Sequence, residues 1–186
     1  MAEVLVLTGR PGVGKTTLIR RLADALGSRA GGFYTEEIRQ GGRRVGFRLV
    51  TLDGEQAVLA HVGWRDRPHR VGRYGVDIAV VDRMGTGAIQ RAVASGRVVL
   101  VDEVGKMELL STRFREAVED ALRGPSPIVA TLLASPHPWA DALRRRPGVT
   151  ELVLTPANRD QVLADARAWI ARRLAGDPPL RKTDPS

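Results

Sequence analysis

Residues 4–22, VLVLTGRPGVGKTTLIRRL, decide how the rest of the chain is read. A short apolar run, Val4 to Leu7, leads into a glycine-rich turn, after which Leu18, Ile19, Leu22 and Leu26 recur at helical spacing. Between the two, Gly9, Gly14, Lys15 and Thr16 complete the pattern G-x-x-x-x-G-K-[ST]. In a strand–loop–helix of this kind the glycines let successive backbone N–H groups point inward, at the positive end of the following helix, so that the loop cradles an anion. Lys15 is expected to bridge the β- and γ-phosphates of a nucleoside triphosphate, Thr16 to ligate Mg2+, and Thr17 to reach the α-phosphate. What becomes of the triphosphate is left open by the loop alone.

The second informative stretch is VVLVDEVGKMEL, residues 98–109. Four apolar residues end in Asp102 and Glu103, which puts both carboxylates at the C-terminal edge of a buried strand, the edge where open α/β sheets bind ligands. Asp102 is the expected partner of Mg2+, through water or through Thr16, and Glu103 is placed to orient or deprotonate an attacking water. The competing reading is that both acids merely begin the next helix, where negative charge is favourable. Guanine-nucleotide switches end this strand with Asp-x-x-Gly and read their base with Asn-Lys-x-Asp. With lysine only at positions 15, 106 and 182, each preceded by Gly or Arg, that base-reading motif is excluded.

The chain has 186 residues, is 43% hydrophobic and 27% charged, and contains no cysteine, which excludes disulfides, thiolate metal sites and a thiol nucleophile. No apolar run reaches membrane-spanning length and no basic, apolar leader opens the chain, so a cytoplasmic address is the expectation. The net charge of +8 is carried almost wholly by arginine. These arginines are scattered rather than clustered beside aromatics, which favours a solvated basic face over a nucleic-acid surface. Two of the three lysines, Lys15 and Lys106, fall in the two stretches already singled out. A compact ammonium fits between phosphate oxygens where a planar guanidinium does not.

Along the chain, a strand at 3–8 and a helix at 16–26 are followed by strand-like runs separated by Gly41-Gly42 and Asp53-Gly54, which are hairpin signals. Residues 32–62 are expected to form a small antiparallel β-meander inserted after the first helix, and 63–77 an arginine-rich loop. The parallel rhythm then resumes: helix 83–94, strand 97–102, helix 112–122, strand 127–133, helix 139–146, strand 150–155 and helix 159–175. The expected fold is an α/β three-layer α/β/α sandwich of the phosphate-loop class, with a mainly parallel sheet, in a single domain over 1–175 and a flexible tail over 176–186.

Other candidate residues are more loosely placed. Phosphoryl transfer commonly sets an arginine against the γ-phosphate, and Arg113, Arg73 or another arginine of 63–77 are the candidates. Lys106 and Glu108 are candidates to face the γ-phosphate, and Thr131 to hydrogen-bond the water. Asn158 and Arg159, in the turn before the last helix, are candidates to hold the base, although Asn158 also suits an N-cap. His61, His69 and His137 lack metal-ligand spacing.

Taken in order, TGRPGVGKTTL, GGFYTEEIR, GFRLVTLDG, GRYGVD, VLVDEVGKMEL and NRD resemble the small nucleoside-triphosphatases first named from thermophiles, a family that includes the vertebrate cancer-related nucleoside triphosphatase. The resemblance covers about residues 4–160. It implies Mg2+-dependent hydrolysis of several nucleoside triphosphates to diphosphates with weak base selectivity. It also implies nucleotide contacts from Gly9, Arg10, Pro11, Gly12, Val13, Gly14, Lys15, Thr16 and Thr17, and from Val101, Asp102, Glu103, Gly105 and Lys106. Members have been compared with both nucleotide kinases and RecA-like ATPases, so the strand order stays open. Where the family has a histidine, this chain runs ATLLAS (residues 130–135).

Three functions follow as alternatives. The first is a nucleoside-triphosphate phosphatase with Lys15 and Glu103 as catalytic groups. The second is a phosphotransferase acting on a nucleotide or nucleoside, and the third an NTP-regulated nucleic-acid-binding module.

Overall fold

The computed structural model describes residues 2–176; the tail expected beyond that point lies, from residue 177, outside the described residues. In chain order the elements are β1 (Val4–Thr8), α1 (Lys15–Leu26), β2 (Ala30–Gln40), β3 (Arg43–Thr51), β4 (Gln56–His61), β5 (Arg70–Val71), β6 (Tyr74–Val76), α2 (Ile78–Val80) and α3 (Thr86–Ala94). There follow β7 (Val98–Val104), α4 (Thr112–Arg123), β8 (Ile128–Leu132), α5 (Pro138–Arg144), β9 (Val149–Val153) and α6 (Arg159–Leu174).

All five residues of β1 are buried, and they alternate between two apolar clusters: Val4 and Val6 pack into one, Leu5 and Leu7 into the other. Strand β7 repeats this, with Val99 and Val101 on the first side and Val98 and Leu100 on the second. A strand buried on both faces must be covered on both, which is why these segments read as continuous apolar runs. Leu18, Ile19 and Leu22 of α1 and Val162, Leu163 and Ile170 of α6 cover one face. Ile89 of α3, Phe114 and Val118 of α4 and Leu143 of α5 cover the other.

Nine strands form one sheet in the order β5-β6-β4-β3-β2-β7-β8-β1-β9. Strands β2, β7, β8, β1 and β9 pair in parallel, while β2-β3, β3-β4, β4-β6 and β6-β5 are antiparallel. The sheet is therefore mixed, not mainly parallel as the sequence suggested. The meander is present, but its first strand belongs to both halves. Ala30 to Phe33 pair with β7 in parallel, and from Phe33 onward the same strand pairs with β3. It extends the central sheet instead of standing apart from it.

Two further expectations are corrected. The arginine-rich segment is not all loop, because Arg70–Val71 and Tyr74–Val76 form a small hairpin on β4. The following helix begins at Ile78, not near residue 83: the Asp77 side chain accepts from the Ala79 amide, and a π-helical turn (Val81–Gly85) joins α2 to α3. Aspartate at an N-cap was a legible start signal.

Gly32 has a φ of +119°, and a Cβ there would lie 1.9 Å from the Leu100 carbonyl oxygen of β7. Gly54 has a similar φ of +97° but open space around it. Gly32→Ala is expected to cost about 3 kcal/mol or more, from clash and backbone strain together. Gly54→Ala is expected to cost about 1 kcal/mol, from the backbone alone. Urea unfolding of both variants checks this, and equal losses would contradict the close packing of β2 on β7.

Candidate active site

The loop after β1 is shaped by contacts that only a bare backbone tolerates. A Cβ on Gly9 (φ +148°) would lie 2.6 Å from the Leu154 carbonyl oxygen, so the chain passes here without a side chain. Lys15 opens α1 and folds its Nζ back over the loop, donating to the carbonyls of Gly9 (3.0 Å) and Arg10 (3.4 Å). Val13 is buried, and its carbonyl accepts from Arg159 Nε at 2.9 Å, which ties the loop to the start of α6.

Strand β8 lies between β1 and β7. In the β7–β8 register, Val101 pairs with Ala130 and Val104 with Leu132, so β7 carries one extra residue across Asp102 and Glu103. A bulge of this kind re-aims side chains at a sheet edge; the peptide joining the two acids is cis. Asp102 is 1% exposed. Thr16 Oγ1 donates to its Oδ2 at 2.6 Å, and Thr131 Oγ1 donates to its Oδ1 at 2.6 Å. Loop, strand β7 and strand β8 thus meet on one carboxylate, as the sequence required for Thr16 and Asp102.

The acids sit in a low-dielectric setting. Burial pushes Asp102 above the usual carboxylate range, against the opposing effects of the two threonine hydroxyls, the Thr35 backbone amide and the Lys15 charge. Glu103 is also raised, by burial first and then by the charge of Asp102, with Lys15 opposing. Glu108 is 4% exposed and is pushed up to about 8 by burial, with the charges of Glu103 and Asp102 adding to it.

An open trough of about 630 Å3 runs along the loop. Gly12, Gly14, Lys15, Thr16 and Thr17 line it together with Thr35, Glu36 and Phe47 of the sheet extension and with Glu103. Beside it, a slot of about 230 Å3 lies between Thr17, Arg21, Leu154 and Arg159. The structure therefore brings together Lys15, Thr16, Thr17, Asp102, Glu103 and Arg159.

Other sequence candidates are placed differently. Val101 is buried in the core. Gly105, Lys106 and Glu108 line a separate cavity next to the trough. Thr131 is fully buried and its hydroxyl donates to Asp102, so it positions the carboxylate. Asn158 clamps its own turn, donating to the Val153 carbonyl and accepting from the Thr155 amide, and makes no capping bond to α6. Arg73 is held by the Arg44 carbonyl and by the ring and hydroxyl of Tyr74. Arg113 is exposed on the first turn of α4 and lines neither trough nor slot. Sequence reasoning missed Thr35, Glu36 and Phe47. The available signal was FYTEE, where polar residues interrupt an apolar strand at the sheet edge that binds ligands.

This arrangement, a glycine loop and lysine near a Thr16–Asp102 pair at a parallel sheet edge, has the chemistry of a site for a polyanionic ligand. Comparison with known proteins agrees. A family model described as NTPase matches residues 4–166. The chain is 44% identical over 161 residues to the nucleoside-triphosphatase THEP1 of Thermotoga petrophila, covering 87% of this chain and 89% of that protein. It is 41% identical over 180 residues to the human cancer-related nucleoside-triphosphatase, covering 89% and 95% respectively. The crystal structure of THEP1 from Aquifex aeolicus superposes with a TM-score of 0.83 at 36% identity, over 91% of this chain and 99% of that one. The chain belongs to this nucleoside-triphosphatase family.

Glu108 carries a measurable signature. It keeps its proton to about pH 8 when folded, against an ordinary value of 4.5, so between these pH values the folded state binds more protons than the unfolded. Stability must then fall as pH rises through that window. In metal- and nucleotide-free protein, urea midpoints at pH 5 and pH 8 should differ more for wild type than for Glu108→Gln. Equal differences would count against a buried, protonated Glu108.

Proposed function

We propose that this chain hydrolyses nucleoside triphosphates, ATP, GTP, CTP and UTP alike, to nucleoside diphosphate and phosphate in a Mg2+-dependent reaction. The observation that carries the reading is the buried Asp102 carboxylate bound to Thr16, with Glu103 beside it lining the Lys15 trough. In this reading the fold is a three-layer phosphate-loop sandwich acting as one domain over 1–175. Its cysteine-free composition and the absence of a membrane-length apolar helix among the described residues agree with a cytoplasmic setting.

The residues present fit a hard divalent cation. Asp102 and Thr16 offer oxygen donors, and among the described residues no arginine or lysine forms an ion pair with Asp102. When bound, Mg2+ would neutralise charge on the phosphate oxygens. The protein's own groups do the rest. Lys15 exchanges its carbonyl contacts for phosphate oxygens, and the loop amides hold the anion in place. Thr131 fixes the orientation of Asp102. Glu103 accepts the proton of the attacking water, and its raised pKa brings it closer to the operating pH of a general base.

Broad base use has its own support. The slot beside Thr17 has Arg21 and Arg159 as its charged walls and Leu154 and Leu163 as its apolar ones. A guanidinium plane stacks on any base without reading its edge. Ion pairing supports a solvated face over a nucleic-acid surface: Glu37 pairs with Arg39 and Arg44, and Asp53 with Arg91 and Arg97.

Phosphate release from the four triphosphates tests the reading. Lys15→Ala should abolish it. Glu103→Gln should lower kcat by about 100-fold or more with little change in KM, since proton transfer is a transition-state task. Wild-type inactivity, or full activity in either variant, would overturn it.

A further inference from the structure

Glu103 faces two spaces. One is the trough over the loop; the other is the adjoining cavity of about 570 Å3, which shares Pro11, Thr35, Phe47 and Glu103 with the trough. Hydrolysis needs room for one attacking water, about 30 Å3. The second cavity is far larger than that and falls in the range of small-molecule sites, about 300–1,000 Å3.

Its chemistry differs from that of the trough. Leu59, Val71, Met107 and Leu133 give it apolar walls. Its acids are Glu103 and the buried Glu108, which converge on Gly105: a Cβ there would lie 2.7 Å from Glu103 Oε1 and 3.0 Å from Glu108 Oε2. The Glu108 carboxyl accepts from the backbone amides of Glu108 and Gly105, while Lys15 acts on Glu103 through its charge. In a chain this rich in arginine, none of the described arginines lines the cavity, and among the described residues its cation is the exposed Lys106. The trough carries Lys15, Arg20 and Arg39 beside Glu36, Glu37 and Glu103; Arg20 pairs with Glu36 and Arg39 with Glu37, which leaves the Lys15 ammonium for an anion. With Glu108 protonated, an anionic ligand such as a nucleotide would still meet the Glu103 carboxylate and no guanidinium among the described residues, so the cavity suits a neutral or cationic ligand with an apolar body.

We propose that this cavity is a second substrate site, for a neutral or cationic alcohol, and that the enzyme can pass the γ-phosphoryl group to it in place of water. The proposal rests on the hydrolytic reading of the trough. The alcohol oxygen bonds to the γ-phosphorus, and the bond from phosphorus to the β–γ bridging oxygen breaks with its electron pair leaving on the diphosphate. The hydroxyl proton passes to the Glu103 carboxylate and from there to solvent. The products are a phosphate monoester and a nucleoside diphosphate.

Three alcohols of matched shape separate the outcomes: 4-methylbenzyl alcohol (neutral), 4-(aminomethyl)benzyl alcohol (cationic) and 4-(hydroxymethyl)benzoate (anionic). Each is incubated with the enzyme, Mg2+ and γ-labelled ATP, and labelled ester and free phosphate are separated and counted. The neutral and cationic alcohols should give ester, at least about tenfold more than the anionic one. Val71→Trp and Ser135→Trp fill the cavity at two residues that do not line the trough; each should suppress the ester while phosphate release persists. Free phosphate without ester from any alcohol overturns this proposal and leaves hydrolysis standing. Ester formed equally well from the benzoate, or undiminished in both tryptophan variants, overturns it as well. Absence of both products removes the hydrolytic reading and this one with it.

Discussion

The Asp102 carboxylate accepts from the hydroxyls of Thr16 and Thr131, and those two bonds join three elements far apart in the chain. A charge buried this deeply is costly unless it is hydrogen-bonded, and each bond to an ionised group contributes about 1.5–3 kcal/mol. The arrangement makes the first turn of α1, the bulge of β7 and the end of β8 mutually dependent. Thr16 can only reach Asp102 if the loop is closed, and the loop closes only because Gly9 lets the chain pass under Leu154. Site geometry and fold are therefore set by the same contacts.

Much of this was legible from residue types. The loop pattern, the acidic strand end and the helical spacing of α1 each carry a strong local signal, and all three led to the right elements. Where the sequence misled, non-local pairing was responsible. Nothing in AGGFYTEEIRQ says that its first residues pair in parallel with β7 while the rest pair with β3, because both pairings ask for the same strand character. The helix start was overlooked for a local reason: the Asp77 N-cap was legible, but the π turn at Val81–Gly85, which has no residue pattern of its own, separates it from the main helix. Thr131 was singled out for its place at a strand end. Its partner depends on β8 lying between β1 and β7, and strand order is a property of the whole sheet.

The charge distribution follows a division of labour. Arginines cover the surface and are frequently held by acids, as in the Arg91–Asp53 and Arg146–Glu119 pairs. Exposed pairs of this type contribute little to stability, but they keep guanidinium groups occupied. The perturbed acids are concentrated elsewhere: Asp102, Glu103 and Glu108 are all displaced upward by burial, within one short segment that also holds Lys106. Perturbed acids gathered in a cleft are a mark of chemistry rather than of scaffold.

The double pairing of β2 has a consequence for modularity. Since one unbroken strand crosses from the helix-covered half of the sheet into the antiparallel half, and its Thr35 amide faces Asp102, no seam exists at which the chain could be trimmed to a minimal nucleotide core. Excising the hairpins would strip the outer neighbour from β2 and one wall from the trough. The antiparallel half is thus part of the machine's chassis: its turns stand clear of the trough, but its strands supply Thr35, Glu36 and Phe47 to the wall.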